Sequence, residues 1–351
     1  MKVAIITDTH WGARNDSPAF IEFYRKFYSE IFFPELEKRE IDTVLMLGDT
    51  FDRRKYTNHA SLKAAKEIYF DELKSRGMKA YILIGNHDTV YKNTNEVNSI
   101  QLLLPEYDNI EAISNPTTIS LGGEYICMMP WICADNFVSS MDEMKNTLAP
   151  ICMGHFEIQG FEMYRGQECH EGLSSSTFEK FDTVFSGHYH HRSTKGNITY
   201  LGTPYELTWQ DYADLKGFHI FDIQTRDLEF VPNTNTMFVR LEYDDKDKEP
   251  IDLDVYDLAQ TFIKLVVVNK TDYYKFDQFV NKLYTKNAHD IKIVEDMSEF
   301  ESGSVDNDVD LEDTLSILSN YIDSINTDVD KEKIKSFMKA LYTEAVNIEV
   351  V

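Results

Sequence analysis

Five short signatures follow one another along the chain, each placed where a short apolar run ends. Asp8 and His10 stand in Asp-Thr-His, and Asp49 and Asp52 in Gly-Asp-Thr-Phe-Asp. Asn86, His87 and Asp88 form Gly-Asn-His-Asp, His155 ends Gly-His, and His188 and His190 stand in Gly-His-Tyr-His. Short apolar runs bounded by polar turn residues read as buried strands. Side chains leaving the ends of such strands can converge on one edge of a sheet. Asp8, His10, Asp49, Asn86, His155, His188 and His190 are enough donors for two divalent cations side by side. A dinuclear metal hydrolase is the first expectation, with phosphate esters as the substrate class.

The elements between the signatures alternate. Residues 3–7, 43–47 and 80–84 read as strands. Ser17-Pro18 opens a helix carried by Phe20, Phe23, Tyr24, Phe27 and Ile31. Leu62, Ala65, Ile68, Tyr69 and Leu73 carry another, which stops at Gly77. This β-α-β-α-β order implies parallel strands with crossover helices. After Asn109 short strands dominate, at 125–129, 150–153, 183–185, 198–201, 217–221 and 228–231, which fits a layered α/β sandwich with two mixed sheets between helices. A second, smaller unit follows, with strands at 237–243, 262–268 and 291–294 and helices near 253–260 and 274–284.

Residues 295–313 hold nine acids and no Lys or Arg, which reads as a solvated linker. Beyond it, Leu311, Leu315, Leu318, Ile322 and Ile325 form a narrow heptad-like stripe, and Ile334, Phe337, Met338, Leu341 and Tyr342 mark a second helix. Such a hairpin has little core of its own and suits a foreign helix or coiled coil. The chain thus divides into a catalytic domain at 1–233, a small α+β unit at 234–295, a linker at 296–310 and a helical hairpin at 311–351.

Only four apolar residues follow Lys2 before Thr7, too few for a secretory leader, and no stretch is expected to span a bilayer. Cys127, Cys133, Cys152 and Cys169 show no paired spacing and read as reduced thiols of a cytoplasmic protein. The net charge of −25 repels nucleic acid overall, and the acids are densest after Leu241.

Two cations held close together need a shared carboxylate, and Asp49 is the best placed. Asp8, His10 and His190 would serve one ion; Asn86, His155 and His188 would serve the other. Mixed nitrogen and oxygen ligation with a neutral amide suits Mn, Fe, Zn or Co better than Mg. Mn²⁺ is the expected metal, with Mg²⁺ as the substitute. His87, beside a ligand without being one, suits a general acid or charge stabiliser. Asp88 would hold its tautomer, and Asp52 would orient a ligand or His87. Arg53, Arg54, Lys55, Lys92 and Arg192 follow the metal loops and could contact phosphates. The remaining histidines, His59, His170, His191, His219 and His289, lack a comparable setting.

Together the five signatures resemble the phosphoesterase motifs of the calcineurin-like metallophosphoesterase superfamily. The stretches GDTFDRRK (48–55), PWIC (130–133), GHFEIQGF (154–161) and GTPY (202–205) narrow the likeness to the SbcD-type nucleases, closest to the recombination endonuclease subunits of T-even-type phages. The resemblance is strong over about 1–232 and by layout beyond. It implies a four-layer α/β/β/α sandwich with a small α+β capping domain that binds DNA and a C-terminal hairpin.

It also implies a Mn²⁺-dependent 3′→5′ exonuclease on duplex DNA and an endonuclease on single strands, acting in recombination and double-strand break processing. The implied partner is an SMC-like ATPase of the SbcC type, whose coiled coil the hairpin grips. A homodimer, and a heterotetramer with the ATPase, are implied too, with apolar positions near 64–73 permitting the dimer. Asp8, His10, Asp49 and His190 take one metal; Asp49, Asn86, His155 and His188 take the other; His87 is the catalytic histidine. Some relatives carry histidine in place of Asp52. A small-molecule phosphodiesterase and a non-enzymatic scaffold are the rival expectations.

Overall fold

Alternation along the first strands decides the layering. In the computed structural model, β1 (Lys2–Ile6), β2 (Thr43–Met46), β3 (Lys79–Leu83) and β4 (Ile110–Ile113) pair in parallel. Successive side chains of a strand point to opposite faces. Val3, Ile5, Leu45 and Leu83 therefore enter one core, while Ala4, Ile6, Val44 and Ile82 enter another. The structure describes residues 1–164 and 167–295, with Lys331, Lys333 and Lys335 beyond. Apart from those three lysines, the expected linker and hairpin lie outside the described residues.

The chain then builds a second sheet from β5 (Thr117–Leu121), β6 (Glu124–Met129) and β7 (Ile151–His155). A two-stranded hairpin, β8 (Glu162–Tyr164) and β9 (Gln167–Glu168), interrupts it. β10 (Thr183–Gly187), β11 (Ser193–Lys195) and β12 (Ile198–Tyr200) complete it. β13 (Gly217–Asp222) and β14 (Leu228–Pro232) return to the first sheet, β13 antiparallel to β1 and β14 antiparallel to β13 at the edge. The orders are β14-β13-β1-β2-β3-β4 and β11-β12-β10-β7-β6-β5.

Ile126, Met128, Ile151, Met153 and Phe185 of the second sheet meet Val3, Ile5, Leu45 and Leu47 of the first in one central core. The outer face of the first sheet is covered by helices that bury Phe20, Phe23, Tyr24, Phe27, Ile68, Tyr69 and Leu73. Each such side chain withdrawn from water contributes about 1.5–3 kcal/mol. The outer face of the second sheet carries Cys127, Met129, Cys152 and Val184 against Met144 and Phe178. The result is the four-layer α/β/β/α sandwich that the motifs imply. All four cysteines are free and buried.

Both long amphipathic helices contain a π-type turn, at Tyr28–Phe32 and Lys66–Phe70. The stretch near 64–73 is a correction to expectation. Ala64, Ala65, Ile68 and Leu73 are consumed by the chain's own core, so they offer no dimer surface.

β15 (Phe238–Asp244), β16 (Phe262–Asn269) and β17 (Asp290–Val294) form a separate parallel sheet. The helix Tyr273–Tyr284 packs Phe276, Phe279 and Leu283 on it. The helix expected near 253–260 is only a single turn at Leu253–Val255. Leu253 and Leu258 both enter the core of this unit, a separation of five that no single helical face supplies. This sheet joins the catalytic layers through Phe238, whose ring meets Trp209 and Phe20. Met1–Met297 form one compact unit. No helix among the described residues is long and apolar enough to cross a membrane.

Candidate metal centre

Every signature lies at the carboxyl end of a parallel strand: Asp8 and His10 after β1, Asp49 after β2, Asn86 and His87 after β3, His155 on β7, and His188 and His190 after β10. Two glycines of the signatures are there because backbone passes close by. A Cβ on Gly85 would strike the Asp49 carboxylate, and one on Gly187 would strike the Thr7 hydroxyl and lie 2.7 Å from the Leu47 carbonyl. The donors themselves are bent inward. Asp8, His10, Asp49 and His188 all have positive φ, at 52°, 42°, 51° and 89°. Asp, Asn and His tolerate that region better than most residues, and such strain clusters at functional sites.

The side chains converge as two groups. Asp8, His10 and His190 offer donor atoms within 4.8 Å of one another, and so do Asp49, His155 and His188. Asp49 Oδ2 lies 3.2 Å from His155 Nε2 and 4.0 Å from His10 Nε2, so one carboxylate faces both groups. Asn86 Oδ1 is 2.9 Å from His155 Nε2. The Leu47 carbonyl, which can only accept, takes a hydrogen bond from His155 Nδ1 at 2.7 Å and so turns Nε2 toward the site. Asp8 accepts the His188 amide on both oxygens at 3.1 Å, tying the β1 loop to the β10 loop.

Charge in this dry cluster is arranged for cations. Burial alone would raise the Asp49 carboxyl, but His155 and His87 hold it well below its usual range. Burial pushes the Asp8 carboxyl up. It drives His188 down to about 3 and His190 well below its ordinary value. Burial opposes charge on His10 and His155 as well, yet Asp52 beside the first and Asp49 beside the second lift each to about 9. The same carboxylates that favour positive charge on these two imidazoles favour divalent cations, whose binding to imidazole and carboxylate donors is linked to proton release. His10 Nε2 and His190 Nε2 face each other at 3.1 Å, an arrangement that needs a shared proton or a cation between two lone pairs. The residues present fit two divalent ions.

His87 is half-buried beside this centre. Its amide donates to Asp49 Oδ1 at 2.7 Å, and its Nδ1 lies 2.5 Å from the Asp52 carbonyl oxygen. The Asp52 main chain thus meets His87, and its carboxylate stands 3.4 Å from His10 Nδ1. Asp88 is a correction. It does not touch the His87 ring; its carboxylate accepts the amides of Thr50, Phe51 and Gly85 and the Ser99 hydroxyl. Asp88 is 1% exposed, and burial pushes its carboxyl up to about 6. The residue braces two metal loops against each other. Asp88→Ala would orphan three buried amides and is expected to destabilise the metal-free protein by at least about 1–3 kcal/mol, read by urea unfolding. Unchanged stability would show that the loops hold themselves.

Of the residues expected to meet phosphates, Lys55 and Lys92 are exposed and have no ion-pair partner among the described residues. Arg53 stacks on Tyr56 and hydrogen-bonds Asn15. Arg54 is half-buried. The Arg192 guanidinium lies 3.8 Å above the Phe230 ring.

Trp131 had no assigned role in the sequence. Its ring lies 5.2 Å from His188 and 6.1 Å from His155, and its amide donates to Ile84. It stands just after β6, where the strand-end rule that located the ligands would have pointed.

A sandwich of this kind, with seven donors at its strand ends, defines a metal-dependent phosphoesterase. Residues 1–192 match the calcineurin-like phosphoesterase family, and the chain belongs to it; the fold of that family uses a dinuclear divalent metal site. Over 351 residues, 98% of this chain and 99% of the relative, it is 30% identical to exonuclease subunit 1 of Enterobacteria phage T4. Among solved structures, it is 13% identical to an archaeal phosphodiesterase, covering 66% of this chain and 100% of that one with a TM-score of 0.34. GAP50, the anchor in the inner membrane complex of Plasmodium, is also 13% identical, with 67% and 90% covered and a TM-score of 0.40. At those scores neither structure adds to the assignment.

Proposed function

We propose that the chain is the nuclease subunit of a DNA-processing complex of the SbcCD type, hydrolysing phosphodiester bonds as a 3′→5′ exonuclease on duplex DNA and an endonuclease on single strands. The observation that carries the reading is the pair of donor groups facing one carboxylate, Asp49, on a chain similar over its whole length to a phage exonuclease subunit. One metal would be held by Asp8, His10, Asp49 and His190, and the other by Asp49, Asn86, His155 and His188. Divalent ions held there, Mn²⁺ on this reading, would supply Lewis-acid activation of water and charge neutralisation at the phosphoryl group. The protein's own contribution is to fix the donors on rigid strand ends and to place His87 for the leaving oxygen. Its Nδ1 is committed to a carbonyl, so proton exchange falls to Nε2.

The unit at 234–295 would cap the site, but its cations are largely spent on its own acids. Lys248 pairs with Asp244 at 3.0 Å, Lys282 with Asp254 at 2.7 Å, and Lys270 with Glu295 at 2.7 Å. With a net charge of −25, this supports a division of labour in which an ATPase partner supplies much of the basic surface. Gel shifts with the full chain alone are expected to give a Kd of about 10⁻⁶–10⁻⁴ M at physiological salt. Tight, salt-resistant duplex binding without a partner would refute that division.

The activity itself is tested by presenting labelled duplex DNA and a small chromogenic phosphodiester, each with Mn²⁺. Metal-dependent loss of the DNA label, with slow turnover of the small ester, is expected. Preference for the small ester would make the chain a small-molecule phosphodiesterase instead, and no Mn²⁺-dependent hydrolysis of either would make it a scaffold.

A further inference from the structure

We propose that Lys216 is a positioning residue for the first metal group, acting through the main-chain carbonyl of His190; the proposal rests on reading Asp8, His10 and His190 as a metal site. Lys216 is 4% exposed. Its Nζ lies 2.7 Å from Asp211 Oδ1, 2.9 Å from Asp214 Oδ2 and 2.8 Å from the His190 carbonyl oxygen. An ammonium has three protons to donate, and here each has an acceptor. Burying a lysine is costly unless it is paired and fully bonded, so its presence in this spot calls for a reason beyond filling space.

The partners of Lys216 are themselves anchored. Asp211 Oδ2 accepts the amides of Leu207 and Thr208, both at 2.9 Å, and Asp214 Oδ2 lies 3.0 Å from His191 Nδ1. The same His190 carbonyl also accepts the Thr203 amide at 3.2 Å. On the other side, the Tyr205 hydroxyl donates at 2.6 Å to the carbonyl of Thr9, the residue between Asp8 and His10. Residues 203–216 therefore hold both loops that supply the first group. Two donors on the other side rest on different anchors: His155 on the Leu47 carbonyl, and the Asn86 loop on Asp88. The third, His188, shares the β10 loop with His190 but has its own amide held by Asp8, so loss of Lys216 should weaken the first site more than the second.

The test is Mn²⁺ titration of the full-length protein, followed by calorimetry and by electron paramagnetic resonance. Two variants are compared with the parent: Lys216→Met, and the triple variant Lys216→Met with Asp211→Asn and Asp214→Asn, which leaves no buried carboxylate uncompensated if the single change fails to fold. In the triple variant we expect one site weakened about 10–100-fold, the usual effect of removing a group that orients a ligand. At limiting metal, the signal of an exchange-coupled ion pair should give way to the six-line spectrum of isolated Mn²⁺. Two ions bound with parental affinities and a coupled signal would overturn the role of Lys216. A parent protein that binds no pair at all would instead overturn the reading of the site.

Discussion

Replacing His87 by alanine is expected to slow DNA cleavage by about 10²–10⁴-fold, the usual contribution of a positioned acid or base, while Mn²⁺ binding stays near parental. The separation follows from geometry. His87 meets the metal cluster through its amide, which donates to Asp49 Oδ1 at 2.7 Å and survives truncation of the side chain. What alanine removes is the ring, held by the Asp52 carbonyl with Nε2 left for proton exchange. Steady-state cleavage of labelled duplex, read beside calorimetric metal binding, checks both halves. Parental cleavage by the variant would remove His87 from the reaction. Lost metal binding would make it a structural support.

Asp49→Asn should do the reverse and strike the metals first. The Asp49 carboxylate faces both donor groups, and its charge favours positive charge at His10 and His155. Asparagine keeps an acceptor for the His87 amide, so the loop should keep its shape, but it lacks the charge needed between two cations. Affinity is expected to fall at both sites by more than about 100-fold, beyond the effect of losing an orienting group, and cleavage should fall with it. Calorimetric titration that still finds two tight Mn²⁺ ions would show that Asp49 does not join the sites.

What the sequence disclosed and what it concealed divide by distance along the chain. The seven donors were legible because each lies at the end of one of five strands or within a few residues beyond it, and strand ends of parallel sheets converge by topology. The layering was legible for the same local reason: Val3 and Ile5 face one way, Ala4 and Ile6 the other. Asp88 was misplaced because its neighbour in sequence, His87, suggested a partner, whereas its carboxylate reaches across to the amides of Thr50 and Phe51. Lys216 gave no signal: Asp211 and Asp214 lie in the turn just before it and read as an ordinary local ion pair, while the His190 carbonyl that ties it to the site is distant in sequence. Nothing near Arg192 in sequence signalled that its guanidinium stacks on Phe230 of β14. The apolar face near 64–73 was correctly read as amphipathic, yet periodicity does not say whether a chain's own sheet or a second copy covers it.

The most direct test of the central claim is anomalous diffraction from crystals of the full-length protein grown with Mn²⁺. Two peaks are expected, one among Asp8, His10 and His190 and one among Asn86, His155 and His188, with the Asp49 carboxylate between them. A single peak, or two peaks away from these side chains, would contradict the account.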